Sequence, residues 1–122
     1  MNDWISMISN RPLVQTDFKN LTLYKRGKIR DVYELNESLL MVATDRISAF
    51  DKIMPTPIPG KGKILTQISL SWFNRTTHIV PNHVIESDVR NYPSECLPYI
   101  DDLDQRSMMV KKTKPLPIEC VV

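Results

Sequence analysis

Turns rich in glycine and basic residues, set between short apolar stretches, constrain this chain more than any other feature. Residues 26–33 read Arg-Gly-Lys-Ile-Arg-Asp-Val-Tyr, and residues 55–66 read Pro-Thr-Pro-Ile-Pro-Gly-Lys-Gly-Lys-Ile-Leu-Thr. Glycine lets a backbone approach an anion closely, and Lys and Arg neutralise the charge of that anion. The pattern therefore predicts strands joined by turns that bind phosphate.

The apolar stretches have the lengths of strands. Residues 21–44 predict a β-hairpin with the basic turn near its start and a second turn at Asn-Glu-Ser, 36–38. Residues 106–112 and 118–122 predict further strands, joined across two prolines, whereas 91–105 reads as a loop. The expected fold class is α+β, an antiparallel sheet with few helices.

One main helix is expected over 64–75, because Ile64, Ile68 and Trp72 recur at helical spacing. We also expect Trp72 and Phe73 to lie in the core or an interface. Two lysines precede this helix, where the helix dipole favours an anion. A further helical turn is expected over 4–10.

The composition and charge of the chain argue against several classes of protein. The chain has 122 residues and a net charge of +2, too balanced for a nucleic-acid-binding domain defined by bulk charge. No apolar run reaches the roughly 18 residues of a membrane span, and the N-terminus lacks the charged and then apolar arrangement of a signal peptide. We therefore expect a cytoplasmic protein without a membrane partner. The two histidines lack a third metal ligand. Cys120, in an apolar run, is predicted to be buried.

The domain organisation is read as an N-terminal segment, 1–20, followed by one domain, 21–122. The chain stops on the apolar stretch Ile-Glu-Cys-Val-Val, 118–122. Domains rarely end on their most apolar segment, so the expectation is a truncated domain whose natural chain continues.

Two groups of polar residues are candidate sites. Lys28 and Arg30 would share a face in a strand and could bind one anion, although the same pair could be solvated charges on an edge strand. Asp45, Arg46 and Ser48 follow a predicted strand and suit a substrate with amine and acid groups. The alternative is that Asp45 and Arg46 pair with each other as a local ion pair.

Six segments in the same order resemble the SAICAR synthetase family, phosphoribosylaminoimidazole-succinocarboxamide synthase. They are residues 27–33, 43–51, 58–66, 82–87, 106–107 and 115–122. The resemblance implies an ATP-dependent ligase that joins L-aspartate to carboxyaminoimidazole ribonucleotide, with ATP and Mg²⁺ as cofactors. ATP would activate the carboxylate, and the aspartate amine would displace phosphate.

The resemblance also implies roles for individual residues, and a fold like the ATP-binding lobe of kinase-like and ATP-grasp proteins. The expected ATP-binding residues are Lys28, Ile29, Arg30, Val32, Leu40, Val110, Lys111, Lys114, Pro115, Leu116 and Glu119. The expected substrate-facing residues are Asp45, Arg46, Ser48, Lys61 and Lys63. No metal ligand and no catalytic residue is assigned. The C-terminal half of the enzyme would be a necessary partner, so this chain alone is expected to be inactive.

Two other functions remain as alternatives. A non-catalytic module could use the same basic loops to bind anions or nucleic acid, although bulk charge and the lack of interleaved aromatic residues speak against it. A kinase-like phosphotransferase lobe would need His-Arg-Asp and Asp-Phe-Gly motifs, which this sequence does not contain.

Overall fold

The computed structural model describes residues 11–122, which are built around an antiparallel sheet. Its five strands lie in the order β1-β2-β3-β7-β6. Their bounds are Thr22–Arg26 (β1), Arg30–Leu35 (β2), Ser38–Ala43 (β3), Val84–Glu86 (β6) and Ser107–Lys111 (β7). A two-stranded hairpin joins Ser48–Ala49 (β4) to Lys52–Ile53 (β5). The predicted α+β class with an antiparallel sheet is confirmed.

Two α-helices complete the described fold, Lys61–Arg75 (α1) and Ile100–Leu103 (α2). The prediction that 91–105 is a loop is wrong, because this segment contains α2, the 3₁₀ helix Ser94–Tyr99 and the last residue of another, Val89–Asn91. The helical turn expected over 4–10 lies outside the described residues.

The hydrophobic core covers one face of the sheet. Alternate side chains of β2 and β3 point into it, as the period of a strand requires. The buried cluster consists of Phe18, Tyr33, Leu35, Leu40, Val42, Val89, Tyr92, Cys96 and Leu103. The cluster therefore draws on residues before β1, on the sheet and on the helical segments after β6.

Residues before β1 belong to this core, although the sequence sets 1–20 apart as a separate segment. The ring of Phe18 stacks on Tyr33, with centroids 4.9 Å apart, and on Tyr99 at 4.4 Å. Phe18 is 3% exposed, and burial of such a side chain stabilises a fold by about 1.5–3 kcal/mol. The part of the N-terminal segment that the structure describes is thus packed into the domain.

The strand predicted over 118–122 does not form, and the prediction that Cys120 is buried is wrong. Residues 112–122 have no strand pairing and are exposed, Cys120 included. Both neighbours of β7 are already taken by β3 and β6. Pro115 and Pro117 follow β7 and lack the backbone N–H that a ladder needs. The other cysteine, Cys96, is the buried one.

Helix α1 begins three residues before its predicted start. Gly60 precedes it with φ of 81°, a left-handed conformation that glycine adopts without strain. Helix residues Gly62, Lys63 and Thr66 are buried, whereas Trp72 is 61% exposed. Trp72 therefore does not lie in the core of the described part of the chain, and Phe73 is half-buried. The alternative, that the two residues lie in an interface, stays a prediction.

None of the helices within residues 11–122 has the length and apolarity needed to cross a membrane.

Candidate functional site

The glycine turn between β1 and β2 is held in place by Arg46. This guanidinium donates from Nε to the carbonyl of Lys28 (3.0 Å), from Nη2 to that of Gly27 (2.9 Å) and from Nη1 to that of Val14 (2.8 Å). Nη2 also donates to Asp31 Oδ1 at 2.9 Å. Arg46 is 6% exposed, so it acts inside the protein as the support of the turn.

Asp31 is the buried counter-charge of Arg46. It also accepts hydrogen bonds from Arg26 Nε at 3.1 Å and from the backbone N–H and hydroxyl of Thr16 at 2.9 and 2.8 Å. Burial by itself would raise the pKa of Asp31, but the bonds from Arg46 and Thr16 outweigh burial and lower it. Asp31 therefore stays ionised at neutral pH.

Asp45 joins three parts of the chain through a second buried carboxylate. Its oxygens accept from Arg106 at 3.0 and 3.2 Å, and from the backbone N–H groups of Leu13 and Gly62 at 2.9 Å each. Burial would raise the pKa of Asp45, and the hydrogen bonds, chiefly from Arg106, lower it instead. Through these hydrogen bonds the Asp45 carboxylate connects the N-terminal segment, α1 and the residue before β7.

The structure corrects two expectations about Asp45 and Arg46. Each forms a buried ion pair, but with Arg106 and Asp31 respectively and not with the other. Because both side chains are fully engaged inside the domain, they support the site instead of facing a substrate.

Arg30 and Lys61 lie on a small cavity between the sheet and α1. Its volume is about 30 Å³, and Ile29, Thr66 and Met108 also line it. Neither cation forms an ion pair with any residue of 11–122. Burial and then the nearby positive charge of Arg30 lower the pKa of Lys61. The negative charge of Asp45 acts on Lys61 in the opposite direction and is the smallest of the three effects. Two neighbouring cations without an ion-pair partner among the described residues create a site that favours an anion.

Lys28 has a different environment from Arg30. Residues 27–29 form a turn and not a strand, so the shared face expected for Lys28 and Arg30 does not arise. The Lys28 ammonium pairs with Asp51 at the tip of the β4–β5 hairpin. Lys28 is about half exposed and Asp51 mostly exposed, so solvent screens this pair.

The apolar residues expected around adenine divide between the two faces of the sheet. Val32 and Val110 lie on the same face as Arg30, by the register of β2, β3 and β7. Leu40 pairs with Tyr33, points to the opposite face and is fully buried in the core. The expectation that Leu40 lines the same pocket is therefore wrong, because neighbouring positions of a strand alternate in direction.

The remaining predicted residues lie away from the small cavity. Ser48 is half-buried in β4, and Lys63 lines a separate, larger cavity. The residues expected beside the adenine edge are exposed at or beyond the end of β7: Lys111, Lys114, Pro115, Leu116 and Glu119. Their role in a nucleotide site stays a prediction.

Sequence reasoning missed the buried partners, Asp31 and Arg106. The sequence did indicate the role of Asp31, because Asp31, Tyr33 and Leu35 occupy every second position of β2 and so lie on its core face. A charged residue at a core position of a strand needs a buried partner of opposite charge. Arg106 was marked only by its place in the segment 106–107 of the family resemblance, which did not indicate its partner, 61 positions away.

No group of three or more His, Cys, Asp or Glu side chains within residues 11–122 could hold a metal ion. No role in metal binding is derived for the described residues.

The fold and its cavity define the chain as an antiparallel α+β domain in which Arg30 and Lys61, beside a glycine turn, have no ion-pair partner within residues 11–122. A family model described as SAICAR synthetase matches residues 23–122. The chain belongs to the SAICAR synthetase family.

The phosphoribosylaminoimidazole-succinocarboxamide synthase of Desulfosudis oleivorans is 64% identical over 107 residues, which are 88% of this chain and 36% of that protein. The enzyme of the same name from Trichlorobacter lovleyi is 57% identical over 113 residues, 93% of this chain and 38% of that protein. This chain thus spans little more than a third of the length of these curated relatives.

Solved structures show the same relationship. A SAICAR synthase superposes with a TM-score of 0.78 at 38% identity, over 86% of this chain and 38% of that one. The SAICAR synthase of Saccharomyces cerevisiae, in complex with SAICAR, gives 0.76 at 39% identity, over 84% of this chain and 37% of that one. The predicted family is confirmed.

Proposed function

We propose that this domain binds the phosphates of ATP within a ligase that joins L-aspartate to carboxyaminoimidazole ribonucleotide and forms SAICAR. The observation that carries the proposal is the pair of unneutralised cations, Arg30 and Lys61, beside the glycine turn. Family membership supplies the reaction class, an ATP-dependent carbon–nitrogen ligase of purine biosynthesis.

The domain's own contribution is binding and positioning. Arg30 and Lys61 neutralise phosphate charge, and the partial burial of Lys61 strengthens its own contact by reducing competition from water, whereas Arg30 is exposed. Lys28 can exchange its exposed partner Asp51 for a phosphate at small cost. Val32 and Val110 provide an apolar wall on the same face as Arg30.

ATP supplies the phosphoryl group that activates the carboxylate of the ribonucleotide. Positioning and charge neutralisation are the main requirements of phosphoryl transfer, and the side chains around the turn meet both without a nucleophile of their own. Mg²⁺ would accompany ATP, but we assign it no ligand among the described residues. The segment that corresponds to the remaining length of the relatives would complete the sites for both acceptor substrates. A reaction between free metabolites implies a cytoplasmic location.

The test is a calorimetric titration of ATP into the 122-residue chain. We expect saturable binding, and a dissociation constant that rises by roughly tenfold or more in Arg30→Ala and in Lys61→Ala, because each variant removes a charge-assisted contact. Lys28→Ala should weaken binding less, since Lys28 is exposed and holds Asp51. Lys19→Ala is the matched control, an exposed lysine that contacts only Asp17.

Unchanged ATP affinity in both Arg30→Ala and Lys61→Ala would remove this cavity from the nucleotide site. Salt-dependent binding of a polynucleotide, without binding of ATP, would favour the non-catalytic module instead.

A further inference from the structure

The β4–β5 hairpin has a tip that its own sequence does not favour. Phe50 and Asp51 form its two-residue loop, with φ of 50° and 64°. Such loops need a positive φ at both positions, which Asn-Gly and Asp-Gly supply at little cost. Asp tolerates this conformation, whereas a bulky aromatic residue rarely adopts it. Phe50 is also fully exposed, so neither local propensity nor burial accounts for the position of the tip.

The base of this hairpin is anchored, and its tip has one polar link to another element. At the base, the N–H of Met54 donates to the carbonyl of Ile47 at 2.8 Å. At the tip, the Asp51 carboxylate contacts the ammonium of Lys28 and forms no other ion pair within residues 11–122. The hydrogen bond from Lys28, and then its positive charge, lower the pKa of Asp51. An ionised pair therefore connects the hairpin tip to the glycine turn.

The glycine turn holds Lys28 beside the proposed phosphate site. The N–H of Gly27 donates to the carbonyl of Arg30 at 2.7 Å and closes the turn, while Arg46 fixes the carbonyl of Lys28. The backbone of Lys28 is thus held, but its side chain is about half exposed and can turn to another partner. Arg30, at the other end of the turn, lines the small cavity with Lys61. A phosphate chain that extends from this cavity along the turn would meet the Lys28 ammonium.

The Asp51 carboxylate and such a phosphate chain compete for the same ammonium. Asp51 brings one negative charge and is mostly exposed, so solvent screens its attraction to Lys28. A phosphate chain brings several negative charges, and Arg30 and Lys61 would hold it as well. The chain is therefore expected to displace Asp51 from Lys28 and then to repel its carboxylate.

We propose that Asp51 is an internal competitor for phosphate, which holds Lys28 and the hairpin tip at the glycine turn until a phosphate chain displaces it. Phosphate binding and release of the β4–β5 hairpin are thereby coupled. The inference rests on the proposed function for the presence of phosphate at this turn. It adds to that function a residue of the same chain that opposes binding.

The experiment is a calorimetric titration of ATP, and separately of inorganic tripolyphosphate, into the 122-residue chain and its variants. Asp51→Asn should lower both dissociation constants by roughly two- to fivefold, because Lys28 is then free for phosphate. In a Lys28→Ala background the same substitution should lose this effect. Asp17→Asn is the control for net charge, since it removes another exposed carboxylate that pairs with an exposed lysine, Lys19.

The release of the hairpin has a readout of its own, cleavage by chymotrypsin after Phe50. Mass spectrometry of the products 1–50 and 51–122 gives its rate. Cleavage needs local opening of the hairpin, so the rate reports how firmly the tip is held. We expect saturating tripolyphosphate to accelerate this cleavage in the unaltered chain, and Asp51→Asn to be cleaved at the faster rate without it.

The outcome is separable from that of the proposed function. A chain that binds ATP with the same affinity after Asp51→Asn would overturn this inference and leave the nucleotide site in place. An equal gain in affinity with and without Lys28 would also overturn it, because Asp51 would then act through net charge alone. Absence of ATP and tripolyphosphate binding, in both the unaltered chain and Asp51→Asn, would contradict both proposals.

Discussion

At the scale of single residues, the buried ion pairs are the feature with the largest consequences. Arg46 and Asp31 are 6% and 0% exposed; without Asp31, Arg46 would have no counter-charge among the described residues, and without Arg46, Asp31 would keep only the partly exposed Arg26. Breaking such a pair is far more damaging than removing an exposed one. The exposed pair of Arg90 with Asp88 offers the comparison within the same molecule.

Arg46→Ala should therefore destabilise the chain by about 3–5 kcal/mol. The substitution removes the buried counter-charge of Asp31, which keeps only the partly exposed Arg26, and it leaves the carbonyls of Gly27 and Lys28 without their donor. Urea unfolding followed by circular dichroism measures the loss. Arg90→Ala, the control, should unfold at the midpoint of the unaltered chain, and an equal midpoint for both variants would contradict the supporting role of Arg46.

At the scale of elements, the N-terminus of α1 depends on how closely it approaches β3. A Cβ atom added to Gly62 would lie 2.2 Å from the carbonyl oxygen of Ala43 and 2.8 Å from that of Thr44. Both are backbone atoms, so neither can move aside without moving the strand end. The N–H of Gly62 also donates to Asp45, so helix, strand end and carboxylate are fixed together.

Gly62→Ala should destabilise the chain by about 1–3 kcal/mol through overpacking. Because the displaced helix start carries Lys61, the affinity for ATP should fall as well. Gly27→Ala is the matched control for stability, since its added Cβ would meet only the Arg30 carbonyl oxygen at an ordinary 3.5 Å. Thermal unfolding of both variants measures the difference. If Gly62→Ala unfolds no earlier than Gly27→Ala, the close approach does not constrain the helix.

At the scale of the whole molecule, stability is linked to pH through the two buried carboxylates. The pKa of both Asp31 and Asp45 is lowered in the folded state. A group with a lowered folded pKa stabilises the fold above its unfolded pKa, and that stabilisation is lost as pH falls through the folded value. Protonation of either carboxylate in acid is therefore expected to lower the free energy of unfolding.

We expect the urea midpoint to be nearly constant from pH 7 to about pH 5 and to fall steeply below about pH 4, near the unfolded pKa of an aspartate. Asp45→Asn should be less stable at pH 7, because Arg106 loses its counter-charge, and should show a shallower decline in acid. Asp101→Asn, at an exposed position, is the control and should keep the full acid slope. Parallel slopes for Asp45→Asn and the unaltered chain would exclude Asp45 as a source of the acid sensitivity.

Local pattern alone determined the sheet, the main helix and the glycine turn. Strands β2 and β3 and helix α1 follow from apolar spacing, and the family follows from six short segments in order. These features depend on residues close together in the chain, because the spacing of apolar side chains and the residue types of a turn determine structure over only a few positions. The same pattern was wrong for 118–122, which pair with neither edge strand of the sheet, β1 or β6.

Only the tertiary structure decided which charged residues are buried in ion pairs and which line a cavity. Asp45 and Arg46 are adjacent in sequence, yet their partners are Arg106 and Asp31, 61 and 15 positions away. Lys61 and Lys63 serve different cavities for the same reason. The free energy of a charge depends on its burial and on the opposite charges within a few ångströms, and packing between distant segments sets both.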